Sequence, residues 1–146
     1  MAPLICLIAA FICFRILGIF WPYFSDWHLA LRAALGAMFL LTASAHWGKG
    51  RADLIHMVPE AMGRAAFWVS LTGFAEIAIA AGLQIPNLAP WTAAAAVGML
   101  CCLFPANVKA AREHLTIMRR PVLPVIPRLT LQIIFIASLV AAVWPK

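Results

Sequence analysis

Acidic side chains are scarce here: five in 146 residues, with charged residues of both signs making up only 11%. An ordinary soluble domain carries roughly 25%. With 65% hydrophobic residues, a chain long enough for one domain has no way to hide its apolar surface from water. The shortage of charge therefore excludes a soluble globule and makes a lipid bilayer the natural solvent. Period-two alternation is missing too, which excludes the strands of a membrane barrel. The four cysteines form no CxxC pair and no spaced zinc set; Cys6 and Cys13 are seven apart, and Cys101 and Cys102 are adjacent. That removes the usual dithiol and zinc motifs, and no metal site is expected. The main reading of these cysteines is that of small buried hydrophobes, with a sulfur-handling role as the alternative. There is no haem, flavin or iron–sulfur signature, no repeat and no low-complexity tract.

What is present is a series of apolar runs rich in Ala, Leu, Ile and Met. A bilayer core of about 30 Å asks for helices of about 20 such residues, which satisfy their own backbone hydrogen bonds in lipid. Five candidate spans follow, at 3–23, 29–47, 65–84, 88–108 and 128–144. The expected fold is an all-α polytopic helical bundle forming one membrane domain over residues 1–146. The first span is not a secretion signal: it lacks a basic start, and Phe20-Trp21-Pro22-Tyr23 is bulky where cleavage wants small residues.

The formal charge of +6 invites a nucleic-acid partner, but its distribution argues against one. Lys49, Arg51 and Arg64 lie between spans two and three. Lys109, Arg112, Arg119 and Arg120 lie between spans four and five, with Arg128 just beyond. The opposite side offers Arg32 and Lys146. The positive-inside rule then puts the N-terminus in the cytoplasm and the C-terminus outside, and the basic face attracts anionic lipid head groups. Membrane lipids are thus expected partners and nucleic acid is not.

The connections are short or stiff. Residues 24–28 and 85–87 are tight turns, so they join antiparallel hairpins. Leu54, Ile55, Met57 and Val58 suit a short amphipathic turn on the membrane surface, ended by Pro59. After Val108 the helix is expected to run on toward Arg120. Pro121, Pro124 and Pro127 then recur every third residue, as in a polyproline II segment, with Pro127 opening the last helix.

Polar residues inside lipid are expensive, so they mark the interior or a cavity. By the helical rise, Glu76 and Arg15 lie at similar depths below the outer surface, which predicts a buried ion pair; Arg32 is a shallower rival partner for Glu76. A second set gathers toward the cytoplasm. Thr42 and His46, four apart, share a face of span two, and Arg128 and Gln132 share one in span five. Span four adds Asn107 within LCCLFPANVKAAREH. There Pro105 cannot donate to the Cys101 carbonyl, and Asn107 supplies two donors and an acceptor close by. The result is a polar notch at the helix end. His46, Glu76, Asn107, Gln132, Thr42 and Arg128 are the candidate ligand-binding residues; a clamp between helix ends is the alternative reading.

From about Leu29 to Trp144 the chain resembles the DoxX family of small bacterial membrane proteins. The resemblance rests on LLTASAHW closing one span, RADLIHMVP after it, LTGFAEIAIAAGL in the next, and FPANV closing the fourth. It implies a four-helix core in the bacterial cytoplasmic membrane, to which 3–23 is an addition without a family counterpart. It also implies an accessory subunit of a quinone- or thiol-linked redox assembly, with a membrane or cytoplasmic redox partner supplying the electrons. It carries over no catalytic residues. In that setting His46 and Asn107 would hydrogen-bond a quinone carbonyl and Glu76 would handle a proton. The alternative is non-catalytic: an assembly factor or a small permeation or proton-handling unit.

The cation count makes a direct prediction about topology. Reporter fusions at Asn87 and Lys146 are expected to read external, and a cytoplasmic signal at either position overturns the orientation.

Overall fold

A computed structural model describes residues 1–117 and 120–145, and it is an all-α helical bundle. Its helices are α1 (Ala2–Leu17), α2 (Trp27–Ala45), α3 (Arg51–Met57), α4 (Ala65–Gly82), α5 (Ala89–Arg112) and α6 (Val125–Val143). Four of them, α2, α4, α5 and α6, are long and apolar enough to cross a membrane. Helix α1 is apolar but has 16 residues, a length of about 24 Å.

The first span is therefore shorter than the sequence led us to expect. It stops at Leu17, because Gly18 sits under the returning chain: a Cβ there would lie 2.5 Å from the Phe24 carbonyl oxygen. The turn is held by Phe14 against Phe24, ring centroids 4.8 Å apart, and by one 3-10 turn at Pro22–Ser25. Asp26 then caps α2, accepting from the His28 backbone N–H at 2.9 Å.

Helix α2 is the hub. It packs against α1, α4 and α6, while α5 packs on α4 and α6. The core is built from Leu35, Phe39, Leu83 and Leu139, all fully buried, among the small side chains Ala30, Ala34, Ala80, Ala93, Ala96 and Ala142. Alanine at these crossings lets backbones approach closely, which is how helices associate where lipid offers no hydrophobic driving force. The outward faces carry large apolar side chains, among them Ile8 and Ile12 on α1, Phe67 and Phe74 on α4, and Ile126 and Ile133 on α6. Cys13, Cys101 and Cys102 lie on this outer surface and not in the core. In an inside–outside arrangement of this kind apolar character does not imply burial.

The amphipathic segment between spans two and three is helical, as α3. A sharp reversal at Gly63 and Arg64, both with positive φ (54° and 42°), then starts α4. Helix α5 stops at Arg112 and does not run on to Arg120; His114 turns left-handed at φ 50°. A two-residue antiparallel ladder follows, β1 (Thr116–Ile117) with β2 (Arg120–Pro121). Of the expected polyproline segment, Pro121 lies in β2 and Pro124 is extended, with φ and ψ of −55° and 165°. Helix α6 already begins at Val125, and Pro127 is tolerated in its first turn, where the missing N–H would have no helical partner anyway. Arg119 and Lys146 lie outside the described residues.

The hub makes a packing prediction. Leu35→Ala opens a cavity on α2 where three helices meet, with an expected cost of about 2 kcal/mol or more. A clear drop in the detergent melting midpoint checks this; an unchanged midpoint would deny α2 its central role.

Candidate functional site

Helix α4 buries Val69, Gly73, Glu76 and Ala80, a spacing of four, three and four that places them on one stripe. A carboxyl group therefore sits in the middle of the face turned to α2. Opposite it is His46, the residue that ends α2. These two are the buried polar or charged side chains among the described residues, 8% and 7% exposed.

The geometry fixes the protonation pattern of the pair. His46 Nδ1 lies 2.6 Å from the Val69 carbonyl oxygen, which can only accept, so Nδ1 carries a hydrogen. The Thr72 hydroxyl stands 3.4 Å from the same nitrogen and donates within its own helix, to the carbonyls of Trp68 and Val69. The other ring nitrogen, Nε2, faces Glu76 Oε2 at 3.4 Å. Two lone pairs would repel across that gap, so one proton belongs between them. The pair is either imidazolium with carboxylate or neutral imidazole with carboxylic acid. The contact is long for a hydrogen bond, and shielded Oε2 has no hydrogen-bond partner of its own. The two groups thus face each other across a long contact that is largely shielded from water.

Three further residues hold this arrangement. A Cβ on Gly73 would lie 2.8 Å from His46 Cβ and 2.7 Å from the Trp47 ring, so the approach of α2 to α4 requires glycine there. Trp47 closes the outer side against Phe74, with centroids 5.0 Å apart. Arg51, at the start of α3, donates from Nη1 to the His46 carbonyl at 2.8 Å and from Nη2 to Ser70 Oγ at 3.0 Å. It thereby ties the end of α2 to α4. Lys109 does a similar job for α3, donating to the carbonyls of His56 and Val58. Sequence reasoning missed Gly73 and Arg51. The signal for Gly73 is its position on the Glu76 stripe; in the sequence Arg51 reads only as a topology charge.

The expected ion pair of Arg15 with Glu76 does not form. Arg15 lies in the last turn of α1, where Nη1 donates to the carbonyls of Phe24 and Ser25. Helix α1 packs on α2, so matching depth along the sequence did not translate into contact. Arg32 is not the partner of Glu76 either: Nε donates to the Ala142 carbonyl at 2.9 Å, and its own carbonyl accepts from Gln84 at 3.1 Å.

The second expected set separates into two centres. Arg128 Nη1 donates to Asn107 Oδ1, and Gln132 Nε2 donates to the Leu100 carbonyl at 3.2 Å. Both contacts join α5 to α6. His46 belongs to the α2–α4 centre instead. Thr42 donates to the Phe39 carbonyl in its own helix and joins neither. Pro105 stays inside α5, and the clamp at its level comes from Gln132 on Leu100, next to the carbonyl that proline leaves without a donor. Among the described residues no group of histidine, cysteine and carboxylate side chains could hold a metal ion.

Coupling across the α2–α4 gap is open to measurement. Gly73→Ala is expected to cost about 1–3 kcal/mol by forcing His46 and Trp47 aside. In a double-mutant cycle, His46→Ala and Glu76→Ala are expected to be non-additive by about 1 kcal/mol or more, whereas Arg15→Leu and Glu76→Leu add within about 0.5 kcal/mol. Melting midpoints of the purified variants decide; additivity of the first cycle would dissolve the pair.

No curated protein and no solved structure matches the chain. A family described as a domain of unknown function, DUF8561, matches residues 35–143. That stretch runs from the buried Leu35 of α2 to the end of α6 and contains His46, Gly73, Glu76, Asn107 and Arg128, leaving α1 and Arg15 outside. The chain belongs to the DUF8561 family.

Proposed function

We propose that this is a membrane-embedded proton-handling protein in which His46 and Glu76 hold a single exchangeable proton between α2 and α4. The observation supporting this most directly is the carbonyl-fixed tautomer of His46: with Nδ1 committed to Val69, only Nε2 is free to exchange a proton, and Glu76 is the group facing it. A pair that only cements two helices would gain more from a short hydrogen bond than from a contact of 3.4 Å. Arg51 and Gly73 fix the distance while leaving the shared proton unbound by any third group.

A second reading is favoured by the sequence motifs that resemble DoxX proteins. In it the same pair serves an accessory subunit of a quinone- or thiol-linked redox assembly, taking up or delivering the proton that accompanies electron transfer. A bacterial cytoplasmic membrane with the N-terminus inside is part of this proposal, as is a redox partner that carries the electrons. Asn107 is a weaker quinone ligand than its position suggested, because its oxygen is already engaged by Arg128.

Infrared difference spectroscopy on protein in lipid tests the first reading. A carboxyl band that titrates with pH, vanishes in Glu76→Gln and shifts in His46→Asn is the expected result. A Glu76 carboxyl that stays in one protonation state over the whole stable pH range sinks it. Quinone extracted from protein purified in mild detergent supports the second reading; a preparation without quinone leaves the redox assignment unsupported.

A further inference from the structure

Between the end of α3, the start of α4 and Lys109 of α5 the surface opens into a cleft of about 220 Å³. Its lining includes His56, Glu60, Arg64 and Lys109, with Ile55 and Ala65 on its apolar walls. That is smaller than the roughly 300 Å³ of a pocket enclosing a whole small molecule, and it suits a head group whose remainder lies outside. Lys109 Nζ donates to the carbonyls of His56 and Val58 at 3.2 and 3.1 Å. Neither carbonyl neutralises the ammonium, and one of its three hydrogens remains for a ligand. Among the described residues no hydrogen bond or ion pair engages the side chain of Glu60 or Arg64, the two ion pairs being His28–Asp26 and His46–Glu76. The cleft thus holds two permanent cations and one carboxylate, none of them spent on another.

We propose that this cleft binds a zwitterionic phosphoethanolamine group, that of phosphatidylethanolamine at the membrane surface. The phosphate is held by charge-assisted hydrogen bonds from Lys109 and Arg64, and the primary ammonium donates to the Glu60 carboxylate. Helix α4 adds to the phosphate side: it begins without a side-chain cap, and Ala65, its first residue, lines the cleft, so unpaired N–H groups and the helix dipole favour an anion there. A purely anionic head group meets the same cations but is repelled by Glu60. Depth supports a lipid as the source. Lys109 lies three residues before the end of α5 at Arg112, and Arg64 immediately precedes α4; both helices are long and apolar enough to cross a membrane. Trp68, one turn into α4, donates from Nε1 to the Met62 carbonyl at 3.3 Å, an amphipathic ring of the kind that sits at head-group level. Neither His46 nor Glu76 lines the cleft, so its occupancy is independent of the pair between α2 and α4.

The test uses the full chain, stripped of lipid in detergent and offered equal amounts of phosphatidylethanolamine and phosphatidylglycerol, with bound lipid counted by native mass spectrometry. Charge alone would favour phosphatidylglycerol at this cation-rich end. The cleft instead predicts that phosphatidylethanolamine is retained about threefold better, the effect of one exposed ion pair. Glu60→Gln reverses that order, and the surface change Arg112→Gln leaves it intact. Arg64→Asn weakens retention of both lipids; asparagine tolerates the positive φ of 42° at this position. Glu60 and Arg64 are exposed, and should Arg64→Asn fail to fold, Glu60→Gln decides alone. Free phosphoethanolamine is the second probe. If it raises the melting midpoint of wild type but not of Glu60→Gln while neither lipid is preferred, the ligand is a soluble zwitterion and the site stands. Phosphatidylglycerol retained as well as phosphatidylethanolamine or better, together with no effect of phosphoethanolamine, overturns the proposal, as does an undiminished preference in Glu60→Gln.

Discussion

A carboxyl group enclosed between two apolar helices must be met by a group that shares its proton or its charge, and much of this fold follows from how Glu76 is met. The partner comes from the end of α2, since His46 is the first residue beyond that helix and its ring can reach back along α4. For the ring to fit, α4 must be bare at Gly73. For the ring to face correctly, the Val69 carbonyl must hold Nδ1. For the chain leaving α2 to stay in place, Arg51 must fasten the His46 carbonyl to α4. Each of these residues looks ordinary alone; together they set one distance, that between Nε2 and Oε2. An isolated charge near a bilayer centre costs about 3 kcal/mol on insertion scales, so the whole arrangement is conditional on that one contact.

Polarity is therefore distributed by helix pair. The α2–α4 interface carries the His46–Glu76 pair, the α5–α6 interface carries the Asn107–Arg128 and Gln132–Leu100 contacts, and the α2–α6 interface carries Arg32 on Ala142. Between them the packing is mainly alanine and leucine, with Phe39, Met38 and Ile79. Such an arrangement gives each of these polar side chains a partner on the neighbouring helix, which suits a medium where a water molecule is not on hand to correct a mismatch, although Glu76 Oε2 and Arg128 Nε are left without a hydrogen bond.

The bundle was legible in the sequence because composition alone forbids a soluble fold, but run length gave five spans where four helices are long and apolar enough to cross a membrane and α1 is shorter. The boundaries were less so. Helix α1 ends early because Gly18 and Phe24 touch, and α5 ends early because His114 turns left-handed; neither is visible as a change in hydropathy. Candidate site residues could be named from depth and helical spacing, but neither tells which helices are neighbours. Arg15 and Glu76 share a depth and opposite charge, yet α1 lies on α2 and the two residues face different partners. His46 and Asn107 share an end of the bundle and still belong to separate interfaces. What decided these pairings was the order of helices around α2, which a hydrophobic pattern leaves unspecified because the long helices are apolar on their outer sides as well.

The contact of Arg32 with the Ala142 carbonyl links a residue of the second helix to one near the end of the sixth. During synthesis the hub helix emerges long before its fastening does. Until α6 is made, the Arg32 guanidinium lacks the Ala142 carbonyl that it meets in the finished bundle. The partner of Arg32 thus lies 110 positions further along the chain, and this contact can close only after α6 has been made.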